Sequence, residues 1–260
     1  MISARQVAEE LIVAERERKE LSPFTDAHPD FDVGTAYEAQ RLFVQDKLDH
    51  GETLVGMKLG LTSRAKQQAM GVANPLYGVV TSGMLHPYGE PVDLGTLIHP
   101  RAEPEIAFLL RTDVTAPATV TSVLAATEAV FAAIDVLDSR YQDFRFTLPD
   151  VVADNASAGL FLLGPQAHRP ADIEDLRLVG CVLRVDGDVV YTAAGAATMG
   201  HPAAAVAWLA NQLATRGEHL PAGSLLFSGG LTAPVPIRAG RSVTAEFDGL
   251  GTVELFATQP

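Results

Sequence analysis

"IHPRAEPEIAFLLR", residues 98–111, is an apolar run interrupted by two carboxylates one residue apart, Glu103 and Glu105. Strand side chains alternate faces, so these two acids point one way while Ala102, Pro104 and Ile106 point the other. Two like charges on one buried face repel each other, and each loses hydration. The stretch reads as a buried strand whose charges need a partner.

A third acid, Asp135, lies in the equally apolar "FAAIDVLDSR" (131–140), with Asp138 three residues on. Two partners fit. Hard oxygen ligands in this number suit a divalent cation, and salt bridges to Arg101, Arg140 or Arg145 would also neutralise them. No cluster of Cys and His with zinc spacing competes for the role.

Around these strands the chain has 260 residues, 47% of them hydrophobic and 20% charged, enough for a sizeable core. A formal charge of -13 and the lack of any basic cluster argue against nucleic-acid binding. One cysteine, Cys181, rules out an internal disulfide framework, and its place in "LRLVGCVLRV" reads as a buried structural thiol. With no apolar segment of signal or spanning length, a cytoplasmic protein without membrane association is expected.

The N-terminal part reads as helical. "SARQ" (Ser3–Gln6) and "TAYE" (Thr35–Glu38) both have the capping-box pattern, the second helix stopping at Gly51. "VGMKLGLTS" (55–63) reads as a strand and turn, and "SRAKQQAMG" (63–71) as a short helix capped by Thr62 or Ser63 and ended by Gly71. From residue 76 strand signals dominate, broken by Gly and Pro and by helices at about 120–131 and 202–216. Asp186–Gly187 and "DGLG" (248–251) mark hairpins. The expectation is an α+β chain, a helical segment over 1–75 leading into a mixed sheet or barrel-like body over 76–260, in one structural unit.

Two further stretches stand out. Lys58 is a lone cation among apolar residues and glycines, either snorkelling to water or kept to meet an anionic ligand. In "LPDVVADNASAGLFLLG" (148–164), Asp154, Asn155 and Ser157 crowd a short turn, which is ordinary turn chemistry or a set of donors for an anion or enolate.

Taken in order, "LVGMKLGLTSRAKQQAMGV", "IHPRAEPEIAFLL", "DVLDSRYQDFRF", "VVADNASAGLFLLG", "GHPAAAVAWLANQL" and "SGGLTAPVPI" resemble the hydratase and decarboxylase branch of the fumarylacetoacetate hydrolase superfamily, across roughly residues 50–255. The resemblance implies a mixed β-roll body, with Mg2+ or Mn2+ held by Glu103, Glu105 and Asp135, the last an Asp where the family commonly has Glu. It implies that Lys58 is the active-site lysine and Ser157 the serine of the "DNAS" turn, with Asn155 and Arg140 beside the substrate. It implies a 2-oxo acid as substrate, and a homo-oligomer or a complex of paired hydratase and decarboxylase subunits as its assembly.

Within the branch one stretch separates two reactions. Hydratases tend to read "PDFG" where this chain has "NPLYG" (74–78), so Leu76 replaces an active-site Asp and Tyr77 stands beside it. A carboxylate suits activation of water, and an apolar residue suits desolvation of a carboxylate leaving as CO2. The expected activity is a carboxy-lyase of catechol meta-cleavage, converting 2-oxo-3-hexenedioate to 2-hydroxypenta-2,4-dienoate, with Leu76 and Tyr77 among its catalytic residues. Hydration of that dienol, a hydro-lyase activity, is the alternative. A non-catalytic partner subunit of a meta-pathway complex is the third reading.

Overall fold

The computed structural model describes residues 2–259, the side chain of Ala69 excepted. The chain opens with helix α1 (Ala4–Glu17), whose Ser3–Gln6 capping box forms as the sequence predicts. A single turn, α2 (Phe24–Ala27), leads to α3 (Val33–Asp49). The second predicted box is displaced, because Asp32 rather than Thr35 caps α3, accepting from the Thr35 N–H at 2.7 Å. Both residue types cap helices well, and the earlier one lets Ala36, Ala39 and Phe43 reach the core.

Strand β1 (Leu54–Gly60), helix α4 (Arg64–Met70, capped by Ser63) and β2 (Leu76–Thr81) follow, then the short β3 (Val92–Asp93) and the long β4 (Arg101–Leu110). The predicted helix at 120–131 is cut short. Helix α5 (Val120–Ala126) passes directly into β5 (Thr127–Leu137), because Ala and Val carry no period that would separate a buried helix from a buried strand. Helix α6 (Leu148–Ala153), which the sequence did not announce, precedes β6 (Ala158–Leu163). The hairpin β7 (Gly180–Val185) and β8 (Asp188–Ala194) turns at Asp186–Gly187, both with positive φ as a two-residue turn of this hand requires. Helix α7 (Pro202–Ala214), β9 (Leu225–Phe227), β10 (Val235–Pro236) and the hairpin β11 (Ser242–Phe247) and β12 (Gly251–Thr258) complete the chain.

Among the described residues the strands form two sheets. The larger runs β2-β1-β9-β4-β5-β6, with β10 added to the edge of β4, and the smaller runs β3-β12-β11-β7-β8. The larger sheet curls until its ends approach, and Leu85, just after β2, bridges to Phe161 of β6. Apolar side chains from both sheets and from α5 and α7 make the main core. Helices α1, α3 and α6 make a second core that includes Leu76, Tyr141 and Ala156, so the N-terminal helices back one wall of the half-barrel. The boundary expected at residue 75 does not divide helix from sheet, since β1 is paired between β2 and β9 inside the body.

Candidate active site

In β4 the alternation read from the sequence is realised. Glu103 stands opposite Asp135 in the antiparallel β4–β5 register, Glu105 opposite Ala133 and Arg101 opposite Leu137. Pro104 is tolerated in mid-strand because that edge of β4 lies between β9 and β10, where the 228–231 loop crosses and the Leu231 N–H donates to the Pro104 carbonyl. The Glu103–Asp135 pair is a like-charge pair directly across two strands, which is unfavourable by itself.

Lysines relieve it. Lys58 Nζ lies 2.7 Å from Asp135 Oδ2 with both side chains buried, and Lys66 of α4 reaches Glu103 Oε1 at 2.7 Å. None of the three arginines considered from the sequence pairs with these acids: Arg140 goes to Asp154 and Arg145 to Asp26. Glu105 accepts from the Gly229 N–H at 2.8 Å through Oε2. Its Oε1, like Asp135 Oδ1, is buried with no hydrogen-bond partner. Burial, then the neighbouring Asp135 charge, pushes the Glu105 carboxyl well above the usual carboxylate range, and burial also raises Asp135 despite Lys58.

These acids therefore share one face, but among the described residues no group of three or more His, Cys, Asp and Glu side chains is gathered at metal-holding spacing. The donor chemistry nevertheless fits a hard divalent cation: carboxylate oxygens, two of them buried and unpartnered. The approach is kept open by Gly230, where a Cβ would lie 2.0 Å from Glu103 Oε2.

Above this floor is a pocket of about 260 Å³, lined by Lys58, Lys66, Arg101, Glu103, Leu76 and Ser157 and walled by Phe144 and Phe146. A larger cleft of about 440 Å³ opens beside α3, but its charged residues, among them Glu38, Arg41 and Arg216, are exposed. Of the two, the smaller reaches the buried acid face, through Glu103.

The "DNAS" turn forms the wall opposite. Asn155, Ala156 and Ser157 are three consecutive residues with φ of 51°, 58° and 53°, a left-handed run that side chains rarely adopt. It is held by the Asn155 side chain, which accepts from the Val79 N–H at 2.8 Å and donates to the Val79 carbonyl at 2.9 Å. The run aims the Ala156 carbonyl at Lys58 Nζ, 2.9 Å away, and fixes the ammonium over Asp135. Gly78 gives it room, since a Cβ there would meet the Asn155 carbonyl oxygen at 2.5 Å.

The fold brings Lys58, Leu76, Ser157 and Glu103 to the pocket, with Glu105 and Asp135 beneath it. Three expected residues are placed elsewhere. Arg140 is buried and saturated, its Nε paired with Asp154 and its Nη atoms donating to the Ala158 and Asp154 carbonyls. Asn155 spends its amide on Val79. Tyr77 follows Leu76 on a strand and so faces the other way, stacked on Tyr37 at 4.7 Å between ring centres. Arg101, Lys66, Phe144 and Phe146 were not singled out as site residues, although Arg101 sits two residues from Glu103 and shares its face.

A family model for the C-terminal domain of fumarylacetoacetate (FAA) hydrolase matches residues 58–255. This chain belongs to the fumarylacetoacetate hydrolase family. Within that family it is 44% identical over 248 residues to a 4-oxalocrotonate decarboxylase of Pseudomonas sp. (strain CF600), covering 95% of this chain and 94% of the relative. It is also 37% identical over 260 residues to a 2-keto-4-pentenoate hydratase of Burkholderia vietnamiensis, covering 99% and 98%. Its fold superimposes with a TM-score of 0.94 on a 4-oxalocrotonate decarboxylase from Pseudomonas putida G7 solved with magnesium and adipate, at 39% identity over 100% of this chain and 99% of the other.

Proposed function

We propose that this chain is a divalent-metal-dependent decarboxylase that converts 2-oxo-3-hexenedioate (4-oxalocrotonate) to 2-hydroxypenta-2,4-dienoate and CO2. The observation that carries the proposal is the buried face of Glu103, Glu105 and Asp135, with Lys58 fixed over it at the floor of a pocket whose β2 wall is the apolar Leu76. Relatives of both kinds, decarboxylase and hydratase, support the reaction class, and the greater identity to the decarboxylase agrees with Leu76.

Glu103, Glu105 and Asp135 would hold Mg2+ or Mn2+, and the magnesium in the Pseudomonas putida G7 enzyme supports a metal in this fold. When bound, such an ion supplies Lewis acidity toward a 2-oxo acid's keto oxygen. The chain's own groups do the rest. Lys58 presents a fixed positive charge to the oxygen that gains electrons as the C5–C6 bond breaks and its electron pair moves through the conjugated chain. Ser157, whose hydroxyl lies 3.2 Å from Asp154 Oδ2, lines the pocket as a further hydrogen-bonding group. Leu76 and Phe146 keep water from the departing carboxylate, favouring its exit as neutral CO2. A proton on the C2 oxygen completes the dienol.

The test is CO2 release from 2-oxo-3-hexenedioate by the metal-stripped protein with and without added Mg2+ or Mn2+. Release that depends on the ion supports the reading, and full turnover in excess chelator removes it. Hydration of 2-hydroxypenta-2,4-dienoate without CO2 release from the dicarboxylate would assign the hydratase activity instead.

A further inference from the structure

We propose that Arg101 recognises the carboxylate at the far end of the substrate, making the pocket selective for a dicarboxylate and letting the reaction itself release the product. The inference rests on the decarboxylase reading and adds a residue and a specificity to it.

Arg101 lies on the same face of β4 as Glu103 and Glu105, on the side of Glu103 away from Glu105. Two residues of strand place it about 6.6 Å along the sheet from Glu103. That spacing is comparable to the reach of a six-carbon diacid stretched out from the acid face. Arg101 lines the pocket beside Lys66 and Glu103.

Its chemistry is unspent. Among the described residues no ion pair or hydrogen bond engages the Arg101 guanidinium, in contrast to Arg140, whose donors are all directed at Asp154 and backbone carbonyls. It is oriented by an aromatic ring: its central carbon sits 3.8 Å from the centre of Phe144. Phe144 is itself held in a left-handed conformation, with φ of 56°. Stacking fixes the plane of the guanidinium and leaves its edge, where the donors lie, free for a planar anion. Among the described residues no carboxylate of the protein pairs with this half-buried guanidinium. A substrate carboxylate would.

The consequence for turnover follows from the charge. The far carboxylate is the one that departs, so its pairing with Arg101 exists in the bound substrate and fades as neutral CO2 forms. Such an interaction lowers KM and, to the extent that it is lost before the transition state, lowers kcat with it. Once CO2 has formed, the dienol has no group for Arg101, and the anchor is gone.

The test compares 2-oxoadipate with 2-oxohexanoate, which share the 2-oxo acid end and differ in the far carboxylate. Binding is measured by calorimetry in the presence of Mg2+, alongside KM and kcat for 2-oxo-3-hexenedioate. Wild type should prefer 2-oxoadipate by about 10- to 100-fold, the range for a charged hydrogen-bonded contact. Arg101→Met should abolish that preference, leave 2-oxohexanoate within about twofold, and raise KM with kcat unchanged or higher, whereas a fall in kcat would contradict a contact that fades as CO2 forms. Arg101→Lys, which keeps the charge and guards against a poorly folded variant, should retain part of the preference. An undiminished preference in Arg101→Met, or equal weakening of both ligands in both variants, would overturn the inference. If wild type released no CO2 but the calorimetric pattern held, the decarboxylase reading would fail and the dicarboxylate site would stand.

Discussion

Lys58 and Asp135 meet at 2.7 Å under the floor of the pocket, each with its side chain closed to solvent. A pair this deep contributes little net stability, because both ions give up hydration, but removing one partner leaves the other uncompensated. Lys58→Met should therefore weaken the metal-free fold, by up to about 3–5 kcal/mol if Asp135 stays charged. It should also depress CO2 release by about 100- to 1,000-fold through loss of an oriented charge. The double variant Lys58→Met/Asp135→Asn separates the two effects: denaturation should show stability regained, while turnover stays low. Recovery of turnover in the double variant would make Lys58 a structural counter-ion only.

Glu105 behaves oppositely. Burial and the Asp135 charge hold its carboxyl above the usual range, and one oxygen has no partner. Glu105→Gln keeps an acceptor for the Gly229 N–H and removes a costly buried charge. The metal-free protein should melt at the same temperature or higher, while the rise in melting temperature on adding Mg2+ should shrink. A metal response equal to wild type would remove Glu105 from the ligand set.

How much of this was visible in the sequence depends on the range of the forces involved. The Glu103–Glu105 face was readable because strand alternation is local; the same rule, left unapplied to the neighbouring residues, puts Arg101 on that face and turns Tyr77, expected as catalytic, away from Leu76. The fates of Arg140 and Asn155 were not readable. A buried polar group is satisfied by whatever the fold brings near, here Asp154 and Val79, and strand order decides that. The caps of α1 and α4 followed local chemistry, whereas α3 had two acceptable caps and packing chose between them. The family resemblance contributed the ligand roles, which neither alternation nor spacing could separate from salt bridges.

Gly78 supports the left-handed run at 155–157 from the neighbouring strand. A Cβ there would drive against the Asn155 carbonyl oxygen, and the turn cannot retreat without losing the two Asn155–Val79 hydrogen bonds. Gly78→Ala should cost about 1–3 kcal/mol in denaturant unfolding. It should lower kcat as well, because the Ala156 carbonyl that fixes Lys58 belongs to the same run. Unaltered stability would mean that the turn shifts freely.

Cys181, buried in β7, has its thiol pushed up to about 12 by burial. The folded-state value is raised, so the contribution to stability is complete below the thiol's unfolded value and is lost as pH rises toward 12. Above about pH 9 wild type should lose up to roughly 1.4 kcal/mol per pH unit from this group, a slope that Cys181→Ala lacks. The slope, not the absolute stability, is the readout, since the variant also leaves a cavity. Parallel slopes would show that the thiol ionises as freely folded as unfolded.

In the proposed reaction, Leu76 is the residue on which the choice between decarboxylation and hydration turns. It stands on β2 opposite Gly60, its Cδ1 only 2.9 Å from where a Cβ on that glycine would be, and it joins the pocket wall to the core of the N-terminal helices. Leu76→Asp would place a second negative charge near a dianionic substrate and draw water toward the carboxylate that must leave. The decarboxylation barrier should rise by about 1–3 kcal/mol, a loss of roughly 5- to 150-fold in CO2 release. Because Leu76 also packs, Leu76→Asn is the control: it brings polarity without charge and should fall between wild type and Leu76→Asp. The same variants are assayed with 2-hydroxypenta-2,4-dienoate by loss of its ultraviolet absorbance, where a carboxylate able to activate water should introduce slow hydration in Leu76→Asp alone. If Leu76→Asp and Leu76→Asn lose CO2 release equally and neither hydrates the dienol, position 76 acts through packing, and the apolar wall has no part in selecting the reaction.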